Sequence, residues 1–388
     1  YVFYDTIAAY ESQENPIINS FVWVIPIIGI FMGYFEIFYA WLRAHMKSVF
    51  GSFVKEVFVR ILITILLFGV YFKYITPSDF IYSLVLVYGI SLMLIVFYAN
   101  KVKKIVLHFK IPKQSKAILT YTVFIILSAS IANMLLDIDK YMIKHYMKID
   151  NIAFYSVAIF IAMVISVPSR AMHQITYPIT AKLMSENKWQ ELNDLYKKSS
   201  ITLQVVGGLI LLGILVNINQ LYLMLPVEYT QGLFVVFAIG LSKYFDLILG
   251  NNNAIIFNSK YYRTVLILGL LLVVLIVLLN MYFIPNFGLN GAALATLIAI
   301  TLYSLAKLLF VVLKMKLFPF TIKTVLSLVI VVVSFLVFYY WDFNFNPFVN
   351  IVLKSVLVTV FYVGLSYYLK ISSDINFVIT SFFKKVFK

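Results

Sequence analysis

The sequence predicts an all-α polytopic membrane protein with about 11 transmembrane helices, and three observations carry that reading. Of 388 residues, 63% are hydrophobic and only 12% charged, and the mean hydropathy is +0.97; soluble domains carry about twice that share of charge. The apolar residues fall in eleven runs, each near the roughly 20 residues a helix needs to cross a bilayer. The runs are apolar on every side and lack two-residue alternation, which disfavours a β-barrel. Helices satisfy their own backbone polar groups in lipid, so a helical bundle follows. A soluble globular enzyme and a disordered chain are excluded. The absence of cysteine excludes disulfides and thiolate metal sites. The four histidines form no HxxxH spacing, so neither a metal nor an organic cofactor is expected.

In order, the runs cover residues 17–42, 57–75, 81–100, 117–136, 152–172, 201–217, 233–250, 265–284, 291–313, 324–341 and 351–369. The chain starts at Tyr1 rather than Met, and residues 1–10 read like the tail of a membrane helix entering a polar loop with Glu11 and Glu14. The chain is therefore expected to lack its true N-terminal helices. The loops set the orientation. Those on one side hold 24 basic residues, including Arg43, Lys101, Lys103, Lys104, Lys182, Lys260, Lys314 and Lys370; the other side holds Lys73, Lys140, Lys144 and Lys148. This asymmetry puts the basic side and the C-terminus in the cytoplasm, in a multi-pass protein of the cell inner membrane. The net charge of +15 is thus read as topology and attraction to anionic lipid, with no nucleic-acid partner. The longest basic loop, residues 174–200, is expected to form a helix in the headgroup plane, since Trp189, Leu192, Leu195 and Tyr196 recur at helical spacing among charged residues. No loop has room for a soluble domain, and no GxxxxGK[ST] occurs.

Several motifs occur in a telling order. Asn286-Phe-Gly288-Leu-Asn-Gly291-Ala-Ala-Leu-Ala295-Thr296 places a short turn before a helix that starts Gly-Ala-Ala. Upstream lie the basic stretch 101–116, Asp137-Ile-Asp139-Lys140-Tyr141, Pro168-Ser-Arg170, Tyr177-Pro178 and Pro226-Val-Glu228-Tyr229. Together they resemble the polysaccharide flippases of the multidrug/oligosaccharidyl-lipid/polysaccharide exporter superfamily over nearly the whole chain. That resemblance implies a two-lobe helical bundle. Residues 1–100 would be a partial first lobe of three full helices and the tail of another, and 101–116 a cytoplasmic linker. Residues 117–313 would be a second six-helix lobe, and 314–388 two additional helices and a basic tail. It also implies a transporter rather than an enzyme. The transporter would move polyprenyl-diphosphate-linked oligosaccharide by rocking of the lobes, for O-antigen, capsule or exopolysaccharide assembly. Membrane lipids and glycan polymerase machinery are the other partners expected. A drug exporter of the same superfamily would share the fold but needs a more acidic cavity. A membrane glycan polymerase or transferase would use Asp137-Ile-Asp139 as a DxD motif, yet lacks here the large outer loop such enzymes carry.

Charged residues within the runs are the candidate site, because each costs roughly 2.5–3.5 kcal/mol to insert at a helix centre. Arg170, Lys243, Lys307 and Lys140 are candidates for neutralising the diphosphate. Asp137, Asp139, Asp246 and Glu36 are candidates for ion coupling. The plainer alternatives are equally explicit. Arg60, Arg170 and Lys307 lie near cytoplasmic helix ends and Lys354 near the outer interface, where long side chains reach the headgroups. Lys243 and Asp246 are spaced i,i+3 and are expected to pair on one helix face. Glu36 needs a partner, in a cavity or on a neighbouring helix. Small residues mark expected close helix contacts: Gly29 with Gly33, Ser128 with Ala132, Gly291 with Ala295 and Ala299, and Gly207, Gly208 and Gly213. Pro26 and Pro168 are expected to bend their helices.

Overall fold

The computed structural model of the protein describes residues 21–45, 47–104, 137–261, 263–343 and 345–386, with the isolated positions 115, 119 and 122. The predicted span 117–136, the Ser128–Ala132 pair, most of the basic linker and the acidic residues before position 17 lie outside the described residues. Everything regular among the described residues is helical. Contacts divide the chain into two units, residues 1–113 and 114–388.

The first unit contains α1 (Val24–Ala44), α2 (Ser48–Phe53), α3 (Val59–Tyr71) and α4 (Pro77–Val102). Helix α2 runs into α3 through a wide π turn, Val54–Phe58, so the second predicted span is a composite helix. Helix α4 starts sharply. Pro77 follows Thr76, whose hydroxyl accepts from the Asp79 amide at 3.2 Å, while the Asp79 carboxylate accepts from the Thr76 amide at 3.0 Å. This reciprocal cap satisfies amides that lack a partner in the first turn. Helices α1 and α3 both pack on α4, around Phe35, Leu42, Val54, Ile95 and Ala99. The other faces of α1 and α3 carry exposed Ile, Phe and Leu, as lipid-facing helices do. A Cβ on Gly29 or Gly33 would meet nothing within 4 Å. The GxxxG of the first span therefore makes no close contact with the described residues, contrary to expectation.

The second unit contains α5 (residues 137–146), α6 (Asp150–Met163), α7 (Val167–Ser185), α8 (Trp189–Tyr222), α9 (Leu233–Ile248), α10 (Asn252–Phe257), α11 (Arg263–Met315), α12 (Ile322–Tyr339), α13 (Pro347–Tyr368) and α14 (Ser373–Val386). A 3-10 turn, Val164–Ser166, joins α6 to α7 just before Pro168, where the sequence placed a bend. Helix α8 is the hub and packs against α7, α9, α12 and α13. It can do so because Gly207 and Gly208 are thin: a Cβ would lie 2.7 Å from Leu247 at the first, and 2.6 Å from the Tyr362 hydroxyl at the second. Lipid gives helices no hydrophobic reason to associate, so such close approach and interhelical hydrogen bonds hold the bundle. Gln204 donates to the Thr324 carbonyl at 2.9 Å, Asn217 to the Ser355 hydroxyl at 3.0 Å, and the Tyr362 hydroxyl to the Val205 carbonyl at 3.1 Å. Bonds of this kind average about 0.6 kcal/mol each. They fasten α12 and α13 to α8.

Two corrections arise here. The segment 174–200 is not a separate helix. Helix α7 continues through it to Ser185, and after a short turn α8 begins at Trp189 and runs 34 residues without a break. The apolar spacing has a different cause. Leu192 and Tyr196 are fully buried against Ile255, Ile256 and Val311. The second correction concerns Lys354, expected to reach the outer interface. It is 2% exposed and ion-paired with Asp342 at 2.8 Å.

Helix α11 contains the predicted turn. Gly288 has φ 57 and ψ −134, a conformation that breaks the helix and that a β-carbon disfavours. At Gly291 a Cβ would collide with the Phe283 carbonyl. The two glycines thus reverse the chain tightly between two spanning arms, matching the predicted runs 265–284 and 291–313.

Candidate functional site

Two polar clusters lie inside the second unit, near opposite ends of its helices. The first is near the end that carries the basic loops. Ser166, Ser169 and His173 recur at three- and four-residue spacing and so share a face. Opposite them, α9 supplies Lys243 and Asp246, α10 supplies Asn252 and Asn253, and α11 supplies Ser304 and Lys307. The Lys307 ammonium donates to Asp246 Oδ1 at 2.8 Å and to Asn253 Oδ1 at 3.2 Å, and lies 4.4 Å from the Tyr303 ring centre. The Ser304 hydroxyl donates to the same Asp246 oxygen at 3.0 Å. Lys307 is 2% exposed and Asp246 42%. An ammonium buried to this degree persists only when paired and hydrogen-bonded.

This geometry corrects two expectations. Asp246 does not pair with Lys243 three residues away; its partner is Lys307, 61 residues on. Nor does Lys307 reach toward the headgroups, since its partners are all inside the bundle. Lys243 makes no hydrogen bond or ion pair with any described residue, and it lines a cavity of about 30 Å³ together with His173, Asp246, Asn253 and Lys307. His173 Nδ1 is buried there without a partner. The space is enough for about two water molecules. Arg170 does not line this cavity; it is exposed on α7.

The second cluster centres on Asp139, which is 5% exposed. Its carboxylate accepts from the Tyr155 hydroxyl at 2.8 Å, the Asn280 amide at 2.7 Å and the Thr296 hydroxyl at 2.5 Å. Those donors come from α6 and from both arms of α11, so one carboxylate ties three helices to α5. The Asn280 side-chain oxygen is buried there and has no hydrogen-bond partner. Asp137 faces elsewhere. It is 68% exposed and pairs with Lys140 at 2.8 Å. The two aspartates therefore do not converge as a DxD motif would, and no group of three potential metal ligands occurs among the described residues.

In the first unit, Glu36 finds its partner in Lys55 at 2.5 Å, with both side chains about half exposed. Arg60 pairs with Glu56 at 2.9 Å on the surface of α3 and the π turn. Exposed pairs of this kind contribute roughly 0–1 kcal/mol. Of the sequence-derived candidates, the structure gathers Lys243, Asp246 and Lys307 into one cluster and pairs Asp137 with Lys140 on the surface. It adds Tyr155, Asn280 and Thr296 around Asp139, and His173, Asn253 and Ser304 around Asp246. An amide or hydroxyl within an apolar run, as at Asn280 in Leu279-Asn280-Met281, was the available signal, because such a group needs a partner in lipid.

No protein-family profile matches the chain, and no curated protein matches it. A solved structure described as lipid II flippase MurJ in an inward closed conformation aligns with 91% of this chain and 75% of its own, with a TM-score of 0.68 and 18% identity. The fold is similar to that of this flippase. At that identity the likeness is one of fold, and function rests on the site.

Proposed function

We propose that the protein moves polyprenyl-diphosphate-linked oligosaccharide from the cytoplasmic to the outer leaflet of the cell inner membrane, by alternating access between two lobes, for O-antigen, capsule or exopolysaccharide assembly. The carrying observation is Lys243, a cation inside an apolar bundle that makes no hydrogen bond or ion pair with any described residue, beside a polar cavity. An anionic diphosphate is the complement such a cation requires. Lys307 adds a second positive charge once Asp246 moves away from it, and Arg170 adds a third from the face of α7. A cavity of about 30 Å³ is too small for a diphosphate, so the cluster must widen to admit one, as an alternating-access cycle allows. Asp139 is the coupling-ion residue in this reading. Its carboxylate, the unpartnered Asn280 oxygen and the Thr296 hydroxyl offer oxygen ligands or a proton acceptor. The basic loops and the C-terminus face the cytoplasm, and the glycan polymerase machinery acts on the flipped product.

A deletion strain tests this. Lipid-linked glycan should accumulate in the inner leaflet, and Lys243→Ala should cut export about tenfold or more at unchanged protein level, since a charge-assisted hydrogen bond contributes about 1.5–3 kcal/mol. Full export by Lys243→Ala, Arg170→Ala and Lys307→Ala, each tested singly, would overturn the assignment. A second reading takes lipid II itself as cargo, and the fold likeness to a lipid II flippase favours it. Accumulation of lipid II rather than a glycan repeat would select that reading. Loss of drug resistance without accumulation of either would point to an exporter.

A further inference from the structure

A further cavity belongs to neither polar cluster. It is about 950 Å³ and lies at the basic end of the second unit, where the end of α7, the start of α8, the link 258–261 and the end of α11 meet. Lys260, Lys314 and Lys316 line it, with Trp189, Tyr261 and Gln190, and no acidic residue does. None of the three lysines has an ion pair among the described residues. Of the acids nearby, Glu186 and Glu191 are engaged elsewhere. Lys188 binds Glu186 at 3.0 Å and approaches Glu191 to 3.8 Å, and its hydrogen bond holds the Glu186 carboxyl below the usual carboxylate range.

The cavity is built rather than left between loose loops. Its lining residues Met184, Met315 and Leu317 belong to the packed group that holds Leu192, Tyr196, Ile255 and Val311. Asn193 Oδ1 accepts from the Phe318 amide at 3.0 Å and so fixes the segment that carries Lys316. Lys316 takes the left-handed backbone, φ 56, that closes the C-terminus of α11, and its amide bonds back to the Val312 carbonyl at 3.1 Å. A preformed concavity with convergent polar groups is the usual form of a ligand site.

We propose that this cavity binds the phosphate headgroup of an anionic phospholipid. Three lysines without counterions define the charge of the ligand. Trp189, an interfacial type of residue, lines the mouth. Leu313 and Phe318, exposed beside the lysines at 72% and 48%, give acyl chains an apolar flank. A soluble phosphate would use the lysines but gain nothing from that flank. The site is separate from the Lys243 cluster and does not depend on which glycan is carried.

The test is thermal unfolding of the full chain in detergent during titration with phosphatidylglycerol, phosphatidylcholine or inorganic phosphate. Phosphatidylglycerol should raise Tm saturably, and the other two should not. Apparent affinity should fall about fivefold for each lysine replaced in Lys260→Ala, Lys314→Ala and Lys316→Ala. The triple Lys→Arg variant should keep the shift, as should Lys101→Ala with Lys103→Ala and Lys104→Ala. An undiminished shift in the triple Ala variant would overturn the proposal. So would an equal shift from phosphatidylcholine, or saturation by inorganic phosphate alone, which would make the site one for a soluble anion.

Discussion

Replacing Lys307 with alanine is expected to lower the stability of the second unit by about 3 kcal/mol, and replacing Asp246 as well should recover most of that loss. Removing one member of a buried ion pair leaves the other charge uncompensated and costs roughly 3–5 kcal/mol. The lower end applies because Asp246 is 42% exposed and can be partly hydrated. Removing both members eliminates the orphan. The check is a double-mutant cycle on thermal unfolding in detergent, in which residues that share a bond show coupling. Equal costs for Lys307→Ala with and without Asp246→Ala would mean that the pair holds nothing together. The same cycle separates stability from transport. Lys243→Ala, which leaves no anion without its bonded partner, should lose export while keeping its Tm.

Asp139→Ala is expected to have the largest combined effect. It leaves the Asn280 amide without an acceptor and forces the Tyr155 and Thr296 hydroxyls to find others, at about 1–3 kcal/mol for each donor left buried and unpaired. It also removes the link between α5 and both arms of α11. Asp139→Asn preserves the shape but neutralises the charge. It should retain more of the stability while transport loses its dependence on the ion gradient. Transport by Asp139→Asn that still follows the gradient would remove this residue from coupling. A fall in Tm with coupling intact would leave Asp139 a structural tie alone.

The fold was legible because membrane helices announce themselves one at a time. Length and apolarity placed the runs, and ten of the eleven fall on described helices. The Gly288 to Gly291 reversal was legible for a similar reason: a turn between two spanning arms needs glycine at those points whatever surrounds it. The site was far less legible. Asp246 has a lysine three residues away, yet binds Lys307 on another helix. Asp139 collects donors 141 and 157 residues distant. Lys354 resembles an interfacial lysine until Asp342 is placed beside it. Which helix neighbours which is fixed by packing around small residues such as Gly207 and Gly208, and no local spacing encodes it. The segment 174–200 failed for the opposite reason. Its periodicity was real, but Leu192 and Tyr196 face a neighbouring helix instead of lipid headgroups.

The most direct measurement uses the purified chain in liposomes that contain a fluorescent polyprenyl-diphosphate oligosaccharide, with the rate of exchange between leaflets as the readout. The account predicts exchange well above that of protein-free liposomes, strongly reduced in Lys243→Ala and unchanged in the surface variant Lys182→Ala. Exchange no faster than in empty liposomes, with the protein folded and either orientation present, would contradict it.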